Sequence, residues 1–154
     1  MSYNIYIGEA SIAYSIEDLE KYSETGVTPL HLIVNKMVLP NAPCFENDEL
    51  SHNNNGRHPA YTTWHDFTID TDMEKIWYDK YDGILGNHPG IVLLTEKMLN
   101  VFKEKLSMYK EKHPNAIPRM ENTIEDARLA MLEWLVWWAE YAIGHCRIPA
   151  IYNQ

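Results

Sequence analysis

The strongest constraint on the fold is the segment 123–143, which is apolar nearly all the way round a helix. Thr123 is a capping residue type, Glu125 and Asp126 suit the first turn, and Gly144 is predicted to end the helix. A single apolar stripe about 100° wide cannot hold its large apolar side chains. These are Leu129, Met131, Leu132, Trp134, Leu135, Val136, Trp137, Trp138, Tyr141 and Ile143. We therefore expect either a central core helix or a helix that also forms an oligomer interface.

Two strands are predicted near the amino terminus. Alternation of apolar and polar residues predicts a strand over 3–8 that ends at Gly8, and β-branched and aliphatic residues predict another over 30–39, closed by Pro40. Because two strands are not stable alone, helices must cover them. The chain is therefore predicted to be a single α+β domain over 1–154, dominated by helices, with a small antiparallel sheet packed on helices.

Further helices follow from capping residues and 3.6-residue periodicity. They are predicted over 15–26, from Thr62 or Thr63 onward with a break near Thr71, and over 95–112 with Thr95 as the cap. A turn is predicted over 87–90. The last segment, 147–154, is expected to pack on the domain.

Composition excludes several classes of protein. The 154 residues carry 13 Lys and Arg against 22 Asp and Glu, so the formal net charge is -9, which argues against binding to a nucleic-acid backbone. The longest apolar run, 134–139, is far shorter than the ~20 residues of a membrane-spanning helix.

Nothing at the amino terminus resembles a signal peptide, so we expect a cytoplasmic protein. Cys44 and Cys146 lie far apart and are expected to be reduced thiols.

The main candidate site is a long loop over 40–60, rich in Asn, together with the residues that follow it. Loops of about twenty residues are uncommon in compact domains and are usually functional or mobile. Asn side chains and the Arg57 guanidinium suit a phosphate or carboxylate, and an aromatic ring can stack on a base. The predicted ligand residues are Asp48, Glu49, Asn53, Asn55, Arg57, Tyr61 and Trp64. The alternative is that the loop forms turns, that Arg57 pairs with Asp48 or Glu49, and that Trp64 begins the core of the next helix.

Other chemistry is less well supported. His52, His58 and His65 share no metal-ligand spacing, so no metal or other cofactor is predicted. Glu133 and Glu140 lie two helical turns apart, which is wide for a shared acid–base site, and a solvated stripe is the alternative. His145 and Cys146 are adjacent, and adjacent side chains seldom point at one place. No catalytic residue is therefore predicted.

The chain resembles small uncharacterised proteins of tailed bacteriophages over nearly its whole length. The resemblance rests on the block from Asp48 and Glu49 to Trp64, on the strand over 3–8, on the turn 88–90 leading into Thr95, and on the Trp-rich stretch 133–138. It implies a phage protein of the host cytoplasm, and such proteins often act on host defence or host metabolism. It implies no specific activity.

Three functions follow as hypotheses. The first is non-enzymatic sequestration of a small anionic, nucleotide-like ligand, such as an immune signal, by a homo-oligomer. The second is an acidic inhibitor that covers a basic host protein. The third is a small hydrolase that uses the His, Asp and Glu residues of the loop.

Overall fold

A computed structural model describes residues 5–13, 24, 31–35, 61–80, 83–86 and 90–153. The described part contains both strands and helices, with more residues in helices. The strands are β1 (Ile5–Ala13), β2 (His31–Asn35), β3 (Gly90–Leu93) and β4 (Pro149–Asn153). The helices are α1 (Tyr61–Asp70), α2 (Glu74–Tyr78), α3 (Glu96–Lys112) and α4 (Ile124–His145). This arrangement confirms the predicted α+β class.

The strands form one antiparallel sheet in the order β2-β1-β4-β3. The first half of β1 pairs with β4, where Ile7 lies opposite Ile151, and its second half pairs with β2. The predicted end at Gly8 is wrong, because Gly8 lies opposite Ala150 within the ladder and the strand continues to Ala13. Strand pairing outweighs the modest cost of a glycine inside a strand.

Two of the four strands were not predicted as strands. The last segment, which was expected to pack on the domain, forms β4. This strand lies inside the sheet, between β1 and β3. Gly90, predicted as the end of a turn, begins β3. The strand predicted over 30–39 is observed as His31–Asn35, and residues 36–60 lie outside the described part. Of the helix predicted over 15–26 only Glu24 is described, and it is helical.

The ends of the two long helices follow their capping residues. The Thr95 hydroxyl accepts a hydrogen bond from the Met98 amide at 3.2 Å, and the Thr123 hydroxyl accepts one from the Asp126 amide at 3.1 Å. The predicted stop at Gly144 is wrong, since α4 continues to His145. A glycine in a helix costs only about 1 kcal/mol relative to alanine, which does not end a long, packed helix.

The predicted break near Thr71 is present and has the form of a Schellman motif. Asp72 has a left-handed backbone with φ of 53°. The Met73 amide donates to the Thr68 carbonyl at 2.7 Å, and the Asp72 amide donates to the Ile69 carbonyl at 3.1 Å. Asp is one of the few residue types besides Gly that tolerate this backbone region. The motif ends α1 and turns the chain into α2.

Helix α4 lies at the centre of the core. It packs on α3 and on strands β1 and β4, and Leu132, Leu135, Trp138 and Ala139 are fully buried. Four of the five tryptophans, Trp64, Trp77, Trp134 and Trp138, are at most 1% exposed. The apolar character of α4 is thus accounted for within one chain, as the core-helix expectation requires. In the described part, helices long and apolar enough to cross a membrane are absent.

Candidate functional site

Most of the predicted ligand loop lies outside the described residues. This holds for Asp48, Glu49, Asn53, Asn55 and Arg57, and also for Cys44, His52 and His58. The described structure begins again at Tyr61, which is the first residue of α1 and lies four positions after Arg57. The loop therefore leads directly into the amino terminus of α1.

Trp64 is a core residue. Its surface is 1% exposed, and its ring packs edge-on to Trp77 at 4.6 Å and against Phe67 at 4.9 Å between centroids. A base cannot stack on a ring whose faces are covered, so the stacking role predicted for Trp64 is incompatible with this placement. Tyr61 is the only other aromatic residue in the predicted ligand set.

The amino terminus of α1 has no acidic residue in its first turn. The α3 and α4 helices differ, since Glu96 follows the Thr95 cap and Glu125 and Asp126 follow the Thr123 cap. The first amides of a helix lack intrahelical partners and carry a partial positive charge that attracts anions. In α3 and α4 an acidic side chain of the protein occupies this field, whereas in the first turn of α1 none does.

Helix α1 is held firmly by the rest of the protein. Phe67 and Thr68 are fully buried, and the Thr68 hydroxyl donates to the His65 carbonyl at 2.7 Å. At the other end, Arg128 Nε donates to Asp70 Oδ2 at 3.0 Å, and only 11% of the Arg128 side chain is exposed. The first turn therefore belongs to an anchored helix.

His65 pairs with a carboxylate of α2. Its Nε2 lies 3.4 Å from Glu74 Oε1, and its ring is edge-on to Tyr78 at 5.1 Å between centroids. Across the described ranges, groups of three or more His, Cys, Asp or Glu side chains that could hold a metal ion do not occur.

Glu133 and Glu140 share one face of α4, as their spacing predicts, and both form ion pairs with α3. Lys103 Nζ lies 2.8 Å from Glu140 Oε1, and Lys110 Nζ lies 3.3 Å from Glu133 Oε1. The lysines, like the glutamates, are seven residues apart, so the pairs join two antiparallel helices in register. Their observed role is therefore structural.

The same row of α4 continues to Asp126. This buried carboxylate accepts hydrogen bonds from the Ile117 amide at 2.8 Å and from Asn122 Nδ2 at 2.7 Å. The Ile117 amide, followed by the Asn122 side chain, lowers the pKa of Asp126 against the opposing effect of burial. Asp126 thus fastens the connection between α3 and α4.

His145 and Cys146 do not form a nucleophilic pair. The His145 ring stacks on Tyr141 at 3.9 Å between centroids, and its Nδ1 lies 3.0 Å from the Tyr141 carbonyl oxygen. Burial, and then the nearby Glu9, raises the pKa of the half-buried Cys146 thiol. A raised pKa disfavours the thiolate that nucleophilic chemistry needs.

Among the cavities of the described structure, two have volumes within the range of small-ligand sites. One, of about 430 Å³, lies at the α3–α4 connection beside His113, Asn122 and Asp126. The other, of about 400 Å³, lies between α2 and α3 and is lined in part by Lys75 and Lys97. Sequence reasoning missed the second cavity, because the capping residues and periodicity that predict the two helices do not show how the helices pack on each other.

Comparisons of the chain with protein-family models, with curated proteins and with solved structures gave no match.

Proposed function

We propose that this chain binds and sequesters a small anionic, nucleotide-like ligand without converting it, as a phage protein that counters host immune signalling. The observation that carries the proposal is the acid-free first turn of α1, which follows the loop directly. Helix amino termini of this kind bind phosphate through their free amides. Arg57, four residues before the helix, would add a formal positive charge to that field.

The other loop residues supply complementary chemistry in the proposal. Asn53 and Asn55 carry both donors and acceptors, which suits the edge of a base. Asp48 and Glu49 accept hydrogen bonds, which suits the amino group of a base or the hydroxyl groups of a ribose. Tyr61 takes the stacking role in place of Trp64, whose ring is enclosed in the core. The local positive charge is needed because the chain as a whole carries -9.

Binding without turnover is supported by the state of the reactive groups that are described. Glu133 and Glu140 are engaged with lysines of α3. The raised pKa of Cys146 keeps it as a thiol at neutral pH. These groups hold the fold together or are protonated, and the proposal requires no chemistry from them.

The test is a thermal-shift screen of the wild type and Arg57→Ala against linear and cyclic nucleotides, followed by mass spectrometry of the recovered nucleotide. A ligand at 100 times its Kd adds about 2.7 kcal/mol to the free energy of unfolding, which gives a visible shift. We expect a shift for the wild type, little or none for Arg57→Ala, and an intact nucleotide.

Arg119→Ala is the matched control. Arg119 is exposed and lies near Asp126 of α4. Two residues further along α4, Arg128 pairs with Asp70, the last residue of α1. Asp70 lies about 15 Å along α1 from its amino terminus, so this control removes the same charge away from the proposed site. It should retain the wild-type shift, and an equal loss in both variants would contradict a specific role for Arg57.

The other hypotheses predict different outcomes. An altered nucleotide would indicate a hydrolase. If no nucleotide shifts the melting temperature, the acidic protein-binding inhibitor becomes the better hypothesis, and its complex with a host protein should weaken steeply as salt rises. Self-association, which the first hypothesis includes as a homo-oligomer, is tested separately. Light scattering with and without nucleotide measures it.

A further inference from the structure

The cavity between α2 and α3, which we call the α2–α3 groove, has an apolar floor. Met73 is 1% exposed, and Ile76 and Val101 are half-buried. Its volume of about 400 Å³ is within the range of sites for small organic ligands, roughly 300–1,000 Å³. The groove is therefore large enough for an apolar molecule of moderate size.

The walls of the groove are fixed. Helix α2 is only five residues long, but Trp77 is fully buried and stacks on Phe102 of α3 at 6.0 Å between centroids. The turn after α2 also folds back on it, since the Leu85 amide donates to the Trp77 carbonyl at 2.8 Å. A Cβ on Gly83 would lie 2.5 Å from backbone atoms of Asp79, so only glycine allows this close return. The groove is thus present before any ligand binds.

One of the two carboxylates at the groove, that of Asp72, is paired with Lys105. Asp72 Oδ2 lies 2.8 Å from Lys105 Nζ, and this hydrogen bond lowers the pKa of Asp72. The Lys105 side chain is only 17% exposed, which holds it at that end of the groove. Asp79 has contacts of its own within the chain.

The two remaining charged residues at the groove are exposed lysines. Lys75 and Lys97 are exposed, and neither forms an ion pair with any residue of the described part. Other lysines of α3 differ, since Lys103 and Lys110 pair with glutamates of α4. An apolar floor edged by two exposed lysines, neither of which forms an ion pair in the described part, is complementary to an apolar molecule that carries negative charge.

We propose that the α2–α3 groove binds a small amphipathic anion, with an apolar body on Met73, Ile76 and Val101 and a carboxylate or sulfonate between Lys75 and Lys97. This site is separate from the proposed nucleotide site at the amino terminus of α1. Its ligand class also differs, because the groove offers apolar surface where the loop offers hydrogen-bonding groups.

The test uses two fluorescent probes with the same aromatic body. One is 8-anilinonaphthalene-1-sulfonate, and the other is N-phenyl-1-naphthylamine, which lacks the sulfonate. We expect saturable binding of the sulfonate at one site, about tenfold weaker binding of the neutral probe, and weaker sulfonate binding as salt rises. Equal affinity for the two probes would overturn the role of the lysines.

Variants locate the probe. The double variant Lys75→Glu with Lys97→Glu should weaken sulfonate binding at least about tenfold. Lys112→Glu changes an exposed lysine of α3 that lines the other cavity, and it should leave binding unchanged. Circular dichroism of each variant checks the fold. Wild-type affinity in the double variant, or an equal loss in Lys112→Glu, would overturn the proposal.

Arg57→Ala separates this site from the proposed nucleotide site. It should leave sulfonate binding unchanged while it abolishes the nucleotide shift. If Arg57→Ala instead abolishes sulfonate binding, the probe occupies the loop and the groove proposal is overturned. If the sulfonate binds as expected but no nucleotide does, the groove stands and the proposed function fails.

Discussion

The two sides of α3 carry similar lysines in different electrostatic settings. Toward α4, Lys103 and Lys110 are matched by glutamates in antiparallel register. Toward α2, Lys105 is matched by Asp72, but Lys97 faces a groove without a counter-ion in the described part. One side is a closed helix–helix contact, and the other is an open wall with unpaired charge.

This difference shows that residue type alone does not separate structural from ligand-binding lysines. A lysine opposite a carboxylate at hydrogen-bonding distance contributes mostly to helix pairing, at roughly 0–1 kcal/mol when exposed. A lysine beside a cavity that forms no ion pair contributes little to stability and is available to a ligand. The following predictions test whether the two sides of α3 differ in this way.

The largest loss of stability is expected at Phe102, a core residue on which both sides of α3 depend. Phe102 is fully buried and stacks on Trp77, so Phe102→Ala should lower the free energy of unfolding by about 3–5 kcal/mol. It should also remove sulfonate binding, because α2 loses its support. Met108→Ala, on the same helix but 48% exposed, should change the free energy by less than about 0.5 kcal/mol. Urea denaturation measures both, and equal losses would contradict the core assignment.

A smaller loss of stability is expected at Asp126 of α4, and this loss depends on pH. The pKa of Asp126 is lower in the folded state, chiefly because the Ile117 amide donates to it, so its ionised form stabilises the fold. This contribution is complete above the unfolded pKa of about 3.9 and is lost as the pH falls through the lower folded pKa.

Asp126→Asn should therefore be less stable than the wild type at pH 7, and the gap should narrow below about pH 4. Urea midpoints measured from pH 7 to pH 2.5 test this. Glu125→Gln, at the exposed neighbour, should show a much smaller gap. A gap for Asp126→Asn that is independent of pH would contradict the assigned role of the carboxylate.

The smallest effect separates paired from unpaired lysines directly. A double-mutant cycle of Lys110→Ala and Glu133→Ala should give a coupling energy of about 0.2–1 kcal/mol that falls as salt rises. Lys97→Ala should leave the free energy of unfolding within about 0.5 kcal/mol of the wild type, since it breaks no ion pair of the described structure. A larger loss for Lys97→Ala than for Lys110→Ala would reverse the comparison.

Local signals predicted the helices better than the strands. Thr95 and Thr123 cap helices where predicted, because a cap depends on amides within three residues. Strands β3 and β4 were missed because each is short and begins with a residue type that is uncommon inside strands, Gly90 in β3 and Pro149 in β4. Pairing between residues about sixty positions apart makes them strands, and periodicity over four or five residues does not reveal such pairing.

The candidate site was harder to predict for a similar reason. Trp64 could be a core residue or a stacking surface by sequence, and only its contacts with Phe67 and Trp77 show that it belongs to the core. Likewise, no local pattern distinguishes Lys97 from Lys103. The distinction depends on whether another part of the chain places a carboxylate within ion-pair distance of each lysine.

The most direct test of the central claim is a nitrogen-15 NMR titration of the protein with a cyclic dinucleotide. The account predicts that the largest amide shifts occur at the first turn of α1, over 61–63, and at Arg57, while the amides of Lys97 and Val101 stay unchanged. Shifts confined to α3, or no shifts at a concentration that saturates the thermal-shift response, would contradict anion recognition at the amino terminus of α1.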